Sequence, residues 1–583
     1  MEKKWINFTF FVFYYKCGII FKDNVIEKGG LMDQIRICAL GGLDENGKNM
    51  FVVEVNNEII LIEAGIKFPD SEQLGIEYII PDFSYLIENK KKIKGVFVTH
   101  GHDDVSRALP YLLKQIDIPV YTGAMSANVL RDLLRKEGII DFKINKVKRT
   151  DRIKVGNIEV RTFAMSHAYP DNFGVAIKTS QGYIVYTGEF IIDYDMNTPE
   201  YDFDINELSE IGKEGVLCLL NESLGADNQG HTAPFHRISR ILEPIFDANK
   251  RRILISCYSQ SLFRMREILD LAIRFKRKVY FHGDEAIYFL KHMEDLGYYN
   301  FPKELIVSDS NFDDADDEII ILITERGKNL FRKLQKIAMH EDEKVHFRTT
   351  DTIIIASSVV SGTEIEANSM ENEIYKEGGR IYSLNSKKIL SLHPSSEDLK
   401  MMLYLFKPRY YIPVKGEYRH LISNANLAFN MGYRPDQIVI LDNGQFATFE
   451  NKVLKSVSDS IELSETMIDG KKNWDVTGVV LKDREILSNE GVMVIGVSVD
   501  FKTKKIIGGV DVQTRGLIYL KDAEYIVKEV MNITEQTIEE NVNNGVYENI
   551  ETRIDVKNRV TRYLLKETGK RPMILPVIIE INL

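Results

Sequence analysis

Lys94 to Leu113, KGVFVTHGHDDVSRALPYLL, constrains the fold more than any other stretch of the chain. An apolar run from Gly95 to Thr99 reads as a buried strand, a short polar turn follows, and a helix is entered near Ser106. Within the turn, His100, His102 and Asp104 alternate. Alternate side chains of an extended or tightly turned segment project to one side, so two imidazoles and a carboxylate converge at the mouth of a strand. That donor set suits a zinc-type ion held by nitrogen and oxygen at roughly 2.0–2.2 Å. The plainer alternative is a polar strand-to-helix loop in which Asp103, Asp104 or Ser106 caps the helix.

A chain of 583 residues has material for several domains and their cores. Its formal net charge of −11 works against nonspecific attraction to nucleic acid or anionic membrane, so any nucleic-acid binding would need a local basic groove. The four cysteines, Cys17, Cys38, Cys218 and Cys257, share no C-x-x-C spacing and read as reduced core residues of a cytosolic protein. The aromatic-rich run FTFFVFYYKCGIIF is interrupted by Lys16 and is short against the roughly 20 residues of a membrane span. No small-residue cleavage site follows it. Residues 1–31 are therefore read as an extension, either not native or a disordered or membrane-touching tail. EKGGLM is what an in-frame purine-rich ribosome-binding site would encode, which puts the native start at Met32.

From Met32 onward the pattern is QIRICAL as a strand, GGLDENGKN as a polar loop, and MFVVEVNNEIILIEAG as a hairpin turning at Asn56-Asn57. The loop lacks a GK[ST] ending and a following helix, so nothing supports a phosphate cradle there. Strands continue through VYTG, KINKVKR, IKVGNIEVRTFAMSH, FGVAIKT and YIVYTGEFIID, the order of two sheets with helices outside, αββα. Between Pro234 and Ser386 strands such as RRILISCYSQ and IIILIT alternate with helices such as FRMREILDLAIRF, which argues a parallel sheet with crossover helices. Residues 451–473 are polar and read as a linker.

THGHDDVSRALPYLL resembles the first metal motif of the metallo-β-lactamase superfamily, His-x-His-x-Asp-His, in the form found in ribonuclease J. KKILSLHPSSEDLKMMLYLFKPRYYIPVKGEYRHL, from Lys387 to Leu421, is the strongest match, and the likeness runs from Met32 to the end. The resemblance implies an α/β protein in which a metallo-β-lactamase αββα sandwich (32–235 and 387–450) is interrupted by a β-CASP α/β domain (236–386). A linker (451–473) and a small C-terminal α/β oligomerisation domain (474–583) follow. It also implies a cytoplasmic, zinc-dependent RNA hydrolase without a membrane partner. The family degrades RNA from 5′ ends, favouring monophosphorylated ones, and can cut internally. Its members assemble with copies of themselves or with a paralogue.

By the same resemblance, one ion takes His100, His102, His167 in AMSHAYPDNFGVAI, and Glu189 in VYTGEFIID, where the family has a bridging aspartate. Alone, a histidine is more often structural and a glutamate more often solvated. The extra methylene of Glu189 displaces the bridging oxygens by about an ångström or more, which weakens bridging. The second ion would take Asp104, residue 105, the bridging carboxylate and residue 415, and here those two positions are Val105 and Lys415. Valine has no donor, and lysine is a cation at neutral pH. The expectation is one zinc, a second site given up as a unit, and Lys415 balancing Asp104 and Glu189 in the catalytic pocket; a surface lysine is the alternative. RNA phosphate is expected at His393, Ser395 and Ser396, at a helix entry, with Glu222 and Arg264 as further contacts. Three family elements are altered: a His-Arg pair reads Phe263-Arg264, a Gly-aromatic-Thr segment reads Gly230-His231-Thr232, and a glycine-serine phosphate loop reads ERGK, Glu325 to Lys328. These losses imply low or lost activity in a subunit that partners an active paralogue, or a nuclease working with one metal.

Overall fold

The computed structural model describes residues 32–69, 73–360, 362–384, 392–469, 474–475, 478–517 and 524–582. The extension 1–31, with Cys17, lies outside the described residues. The described residues fall into two compact units, one drawn from 32–68 and 78–466, the other from within 69–77 and 467–582.

The first unit begins as two facing sheets. One has eight strands in the order Val453–Ser456, Phe446–Glu450, Ile35–Gly41, Met50–Val55, Glu58–Ile62, Ile93–Val98, Val120–Thr122, Ile144–Lys146. The other has six: Tyr410–Val414, Val216–Glu222, Gly182–Tyr186, Phe173–Thr179, Ile158–Ala164, Arg152–Val155. Alternate side chains of the two inner faces, among them Ile37, Val53, Ile60, Phe97, Val175, Ile184 and Ile412, form one apolar core. Helices Ile205–Glu214, Ser396–Phe406 and Tyr418–Asn430 cover the outer face of the six-stranded sheet through a second core that includes Leu208, Leu399 and Ala428. The expected hairpin closes in two residues, Val55 opposite Glu58, with Asn56 at φ 56°, a left-handed turn position that asparagine tolerates.

The insertion is a sheet of six parallel strands, Ile306–Val307, Val279–His282, Ile320–Glu325, Ile253–Tyr258, Thr352–Ile355 and Arg380–Ser383. Leu262–Arg274 and Asp284–Asp295 pack on one face, and Lys328–Ala338 and Glu364–Lys376 on the other. Met125 and Tyr169 of the sandwich enter the first of these cores, so the insertion is seated directly beside the histidine-bearing turn.

Two local expectations are corrected. The helix after the metal turn starts at Asp103, runs one turn to Ser106, and is followed by a separate Leu109–Leu113; Pro110 in the first turn of the second suits a new start. Within the stretch read as a linker, Val453–Ser456 pairs with Phe446–Glu450 and extends the large sheet. In the second unit Val492–Asp500 lies between Ile506–Arg515 and Met573–Ile581, and helices Glu524–Asn543 and Asn549–Thr568 cover one side through Ile495, Val530, Val560 and Ile574. Cys38, Cys218 and Cys257 are free and buried. Among the described residues no helix is long and apolar enough to cross a membrane.

Candidate metal centre

His100, His102, His167 and Glu189 each offer one donor atom, and these atoms lie within 4.8 Å of one another. Two strands end beside the cluster: Ile93–Val98 delivers the two-histidine turn and Ile158–Ala164 leads to His167. Glu189 follows strand Gly182–Tyr186. Glu189 Oε2 stands 3.7 Å from His100 Nε2, 3.8 Å from His102 Nδ1 and 3.2 Å from His167 Nε2. His167 Nε2 and His102 Nδ1 are 3.4 Å apart. Tetrahedral donors bound at roughly 2.0–2.2 Å sit about 3.3–3.6 Å apart, so the set fits a zinc-type ion. His100 Nε2 is buried and has no hydrogen-bond partner among the described residues, a lone pair aimed at the centre of the cluster. Burial, then the neighbouring imidazoles and Lys415, hold His100 and His167 well below the ordinary histidine range. Burial pulls His102 down to about 4 against the opposing pull of Asp104. All three are therefore neutral at physiological pH, the form in which an imidazole can donate to an ion.

The other side of the pocket is filled by protein. Lys415 follows strand Tyr410–Val414 at φ 60°, a left-handed backbone that costs a lysine about 1–2 kcal/mol. Only 1% of its side chain is exposed. Its Nζ donates to Asp104 Oδ2 at 2.6 Å and to Glu189 Oε1. Asn49 Nδ2 donates to the same Asp104 oxygen at 3.2 Å and to the Asp104 carbonyl at 2.9 Å. Burial alone would raise the Asp104 carboxyl; Lys415 and His102 overcome it and keep the group ionised below its usual range. Val105 is wholly buried.

Family models match in chain order: the metallo-beta-lactamase superfamily over 43–195, the ribonuclease J beta-CASP domain over 250–374, the Zn-dependent metallo-hydrolase RNA specificity domain over 382–436, and the ribonuclease J C-terminal domain over 479–581. "Ribonuclease J 2" of Staphylococcus aureus is 32% identical over 550 residues, 94% of this chain and 98% of that protein. The chain belongs to the ribonuclease J family. The protein of the same name from Staphylococcus epidermidis is 32% identical over 549 residues with the same coverage. A crystal structure of an Enterococcus faecalis protein of unknown function matches at TM-score 0.50 and 15% identity, covers 71% of this chain and 100% of its own, and speaks to the fold alone. Membership makes this an RNA-processing metallo-hydrolase by family, and the RNA-specificity domain implies RNA binding.

On this ribonuclease J the residues expected to touch RNA have different surroundings. His393 lies at the pocket, its Nδ1 2.9 Å from Glu222 Oε2 and 3.9 Å from Glu189 Oε2. Burial would lower His393, but Glu222 overcomes this and raises it. Glu222 is itself buried and takes the Phe190 amide at 2.7 Å, so it positions His393 and does not face a ligand. At the helix entry the amides of Ser395, Ser396 and Glu397 donate to Asp398 Oδ2, Asn228 O and Gly230 O. Ser396 Oγ accepts from the Gly230 amide, and Ser395 Oγ lies 2.9 Å from Thr232 Oγ1. The expected phosphate cradle is thus closed by the chain's own groups. Arg264 is buried, with Nη1 donating to Ala356 O at 3.2 Å. It belongs to the insertion's interior because its position on helix Leu262–Arg274 faces the sheet.

Sequence reasoning missed Glu63. It follows strand Glu58–Ile62 at φ 65°, is fully buried, and accepts from the Thr99 amide at 3.1 Å and Thr99 Oγ1 at 2.6 Å. Burial pushes its carboxyl up to about 8. Thr99 Oγ1, donating to Glu63, is left to accept from His100 Nδ1 at 3.0 Å, which selects the tautomer with Nε2 free. A carboxylate ending an otherwise apolar strand was the available signal, since such a group needs a buried partner.

Proposed function

We propose that this ribonuclease J holds one zinc ion and works in the cytoplasm as an RNA-binding subunit of weak or absent hydrolytic activity, assembled with copies of itself or with a fully active paralogue. The observation that carries the reading is the Lys415 ammonium lying between Asp104 and Glu189. His100, His102, His167 and Glu189 would hold the zinc, which when bound polarises phosphoryl oxygens and makes water nucleophilic. Paired-ion hydrolases clamp both the attacking and the leaving oxygen. Here the second position is occupied by an ammonium already paired to two carboxylates, so Asp104 is not free to take a proton and the leaving oxygen loses its clamp. His393, made more basic by Glu222, would meet RNA phosphate at the pocket edge. The likeness to two staphylococcal proteins named Ribonuclease J 2 supports a paralogue role.

A second reading keeps the chain as a working one-metal ribonuclease in which Lys415 supplies the charge of the second ion. The exposure of His393 and His102 beside Glu189 favours it, because a phosphate can reach both. The test is to purify the chain from Met32, count zinc per chain, and supply 5′-monophosphorylated RNA with and without the paralogue. The subunit reading expects one zinc, RNA binding and little nucleotide release until the paralogue is added. Metal-dependent release by the lone protein selects the second reading. Two zinc ions in the unaltered chain would sink both, whereas a second zinc gained only on combining Val105→His with Lys415→His supports the lost-site account.

A further inference from the structure

The loop after strand Ile320–Glu325 reaches the metal turn. Arg326 Nη1 lies 2.6 and 2.7 Å from the two carboxylate oxygens of Asp103. Its Nε donates to Glu285 Oε2 at 2.8 Å, and Nη2 is 2.7 Å from Glu285 Oε1. Ser259 Oγ donates to Glu285 Oε2 at 2.6 Å. The next residue, Gln260, donates through Nε2 to Asp103 Oδ1 at 3.2 Å and to the Gly101 carbonyl at 3.4 Å. The Gln260 carbonyl oxygen is 3.3 Å from His102 Nε2, the ring nitrogen facing away from Glu189. His102 and both of its chain neighbours are therefore held by the insertion as well as by the sandwich that carries them, where the Ile66 amide donates to the Asp103 carbonyl at 3.0 Å.

We propose that Arg326 is a positioning residue that latches the insertion onto the metal turn and so sets how firmly His102 serves the centre. Asp103 has only 9% of its side chain exposed, and a carboxylate so far out of water needs a compensating cation. Arg107, at 3.6 Å, is the only other cation paired with it among the described residues. All three nitrogens of the Arg326 guanidinium engage Asp103 or Glu285, so most of its donors are used inside the protein. Fixing the residues on either side of His102, together with the acceptor for its outer N–H, pins the ring with its inner nitrogen toward Glu189. Outer partners of a metal-bound histidine act in this way.

The inference rests on the zinc reading only for its metal arm. In the full chain, Arg326→Met is expected to weaken zinc binding, measured by chelator competition, about 10–100-fold. It is also expected to speed amide exchange over residues 100–106 with and without zinc. Adding Asp103→Asn removes the stranded carboxylate and should recover much of the exchange protection. Glu285→Gln, which loosens Arg326 but leaves Asp103 its partner, should give a smaller change in the same direction, and it decides the matter if Arg326→Met does not fold. Parent-like exchange over 100–106 in these variants overturns the latch. Loss of RNA affinity with exchange unchanged also overturns it and assigns Arg326 to RNA. If the parent takes up no zinc, the metal reading falls and exchange alone judges the latch.

Discussion

The two halves of the pocket share Glu189 and have opposite electrostatics. On one side three neutral imidazoles present inward-facing nitrogens, one of them without a hydrogen-bond partner among the described residues. On the other, an ammonium bridges two carboxylates, and Val105, next in the chain to one of them, is wholly buried. The first half is completed by adding a cation, whereas in the second a protein cation already offsets part of the carboxylate charge. The proposed loss of half a dinuclear centre would be accommodated by a protein cation that takes over part of the charge an ion would bring.

Gly65→Ala should abolish the contrast altogether. A Cβ there would lie 1.6 Å from the Asp104 carbonyl oxygen, a backbone atom that cannot step aside, so the turn serving both halves must move. A destabilisation of about 4 kcal/mol or more in denaturant unfolding, with loss of bound zinc, is the expected outcome. Lys415→Met should strike the half held by the ammonium, leaving Asp104 and Glu189 uncompensated at about 3 kcal/mol. Adding Asp104→Asn should restore most of that loss, and additivity of the two changes would show that the ammonium and the carboxylate are not coupled. Glu63→Gln should strike the imidazole half through Thr99 and His100. Roughly 1–3 kcal/mol is expected for the disturbed buried hydrogen bonds, with weaker zinc binding by chelator competition. Val105→Ala should cost only about 1–2 kcal/mol for the lost apolar volume and leave zinc per chain unchanged. A change in zinc content there would mean that Val105 does more than fill space.

Much of this architecture was legible along the chain. The alternation of short apolar runs with amphipathic segments foretold the parallel insertion, because a strand buried on both faces reads as an unbroken apolar run. Asn56-Asn57 between two such runs foretold the tight hairpin. His100 and His102 were legible from their spacing at a strand end, whereas His167 and Glu189 were proposed from the family resemblance, and the four donors lie together in the fold. The RNA contacts were less legible. Arg264, Ser395, Ser396 and Glu222 carry the chemistry of phosphate or RNA recognition, yet each spends it internally, and a residue's type does not say which way its helix is turned.

Donor types and strand ends, then, can be read from one dimension, because metal ligation depends on which atoms a residue owns and β-structure on a period of two. That Val105 could not bind an ion followed from its side chain alone. That the Lys415 ammonium lies between Asp104 and Glu189, 311 and 226 residues away in the chain, was settled only by packing. The same holds for Arg326, 223 residues from the aspartate it grips. Charge compensation in a low-dielectric interior is decided by distance in space, and a sequence records only distance along the chain.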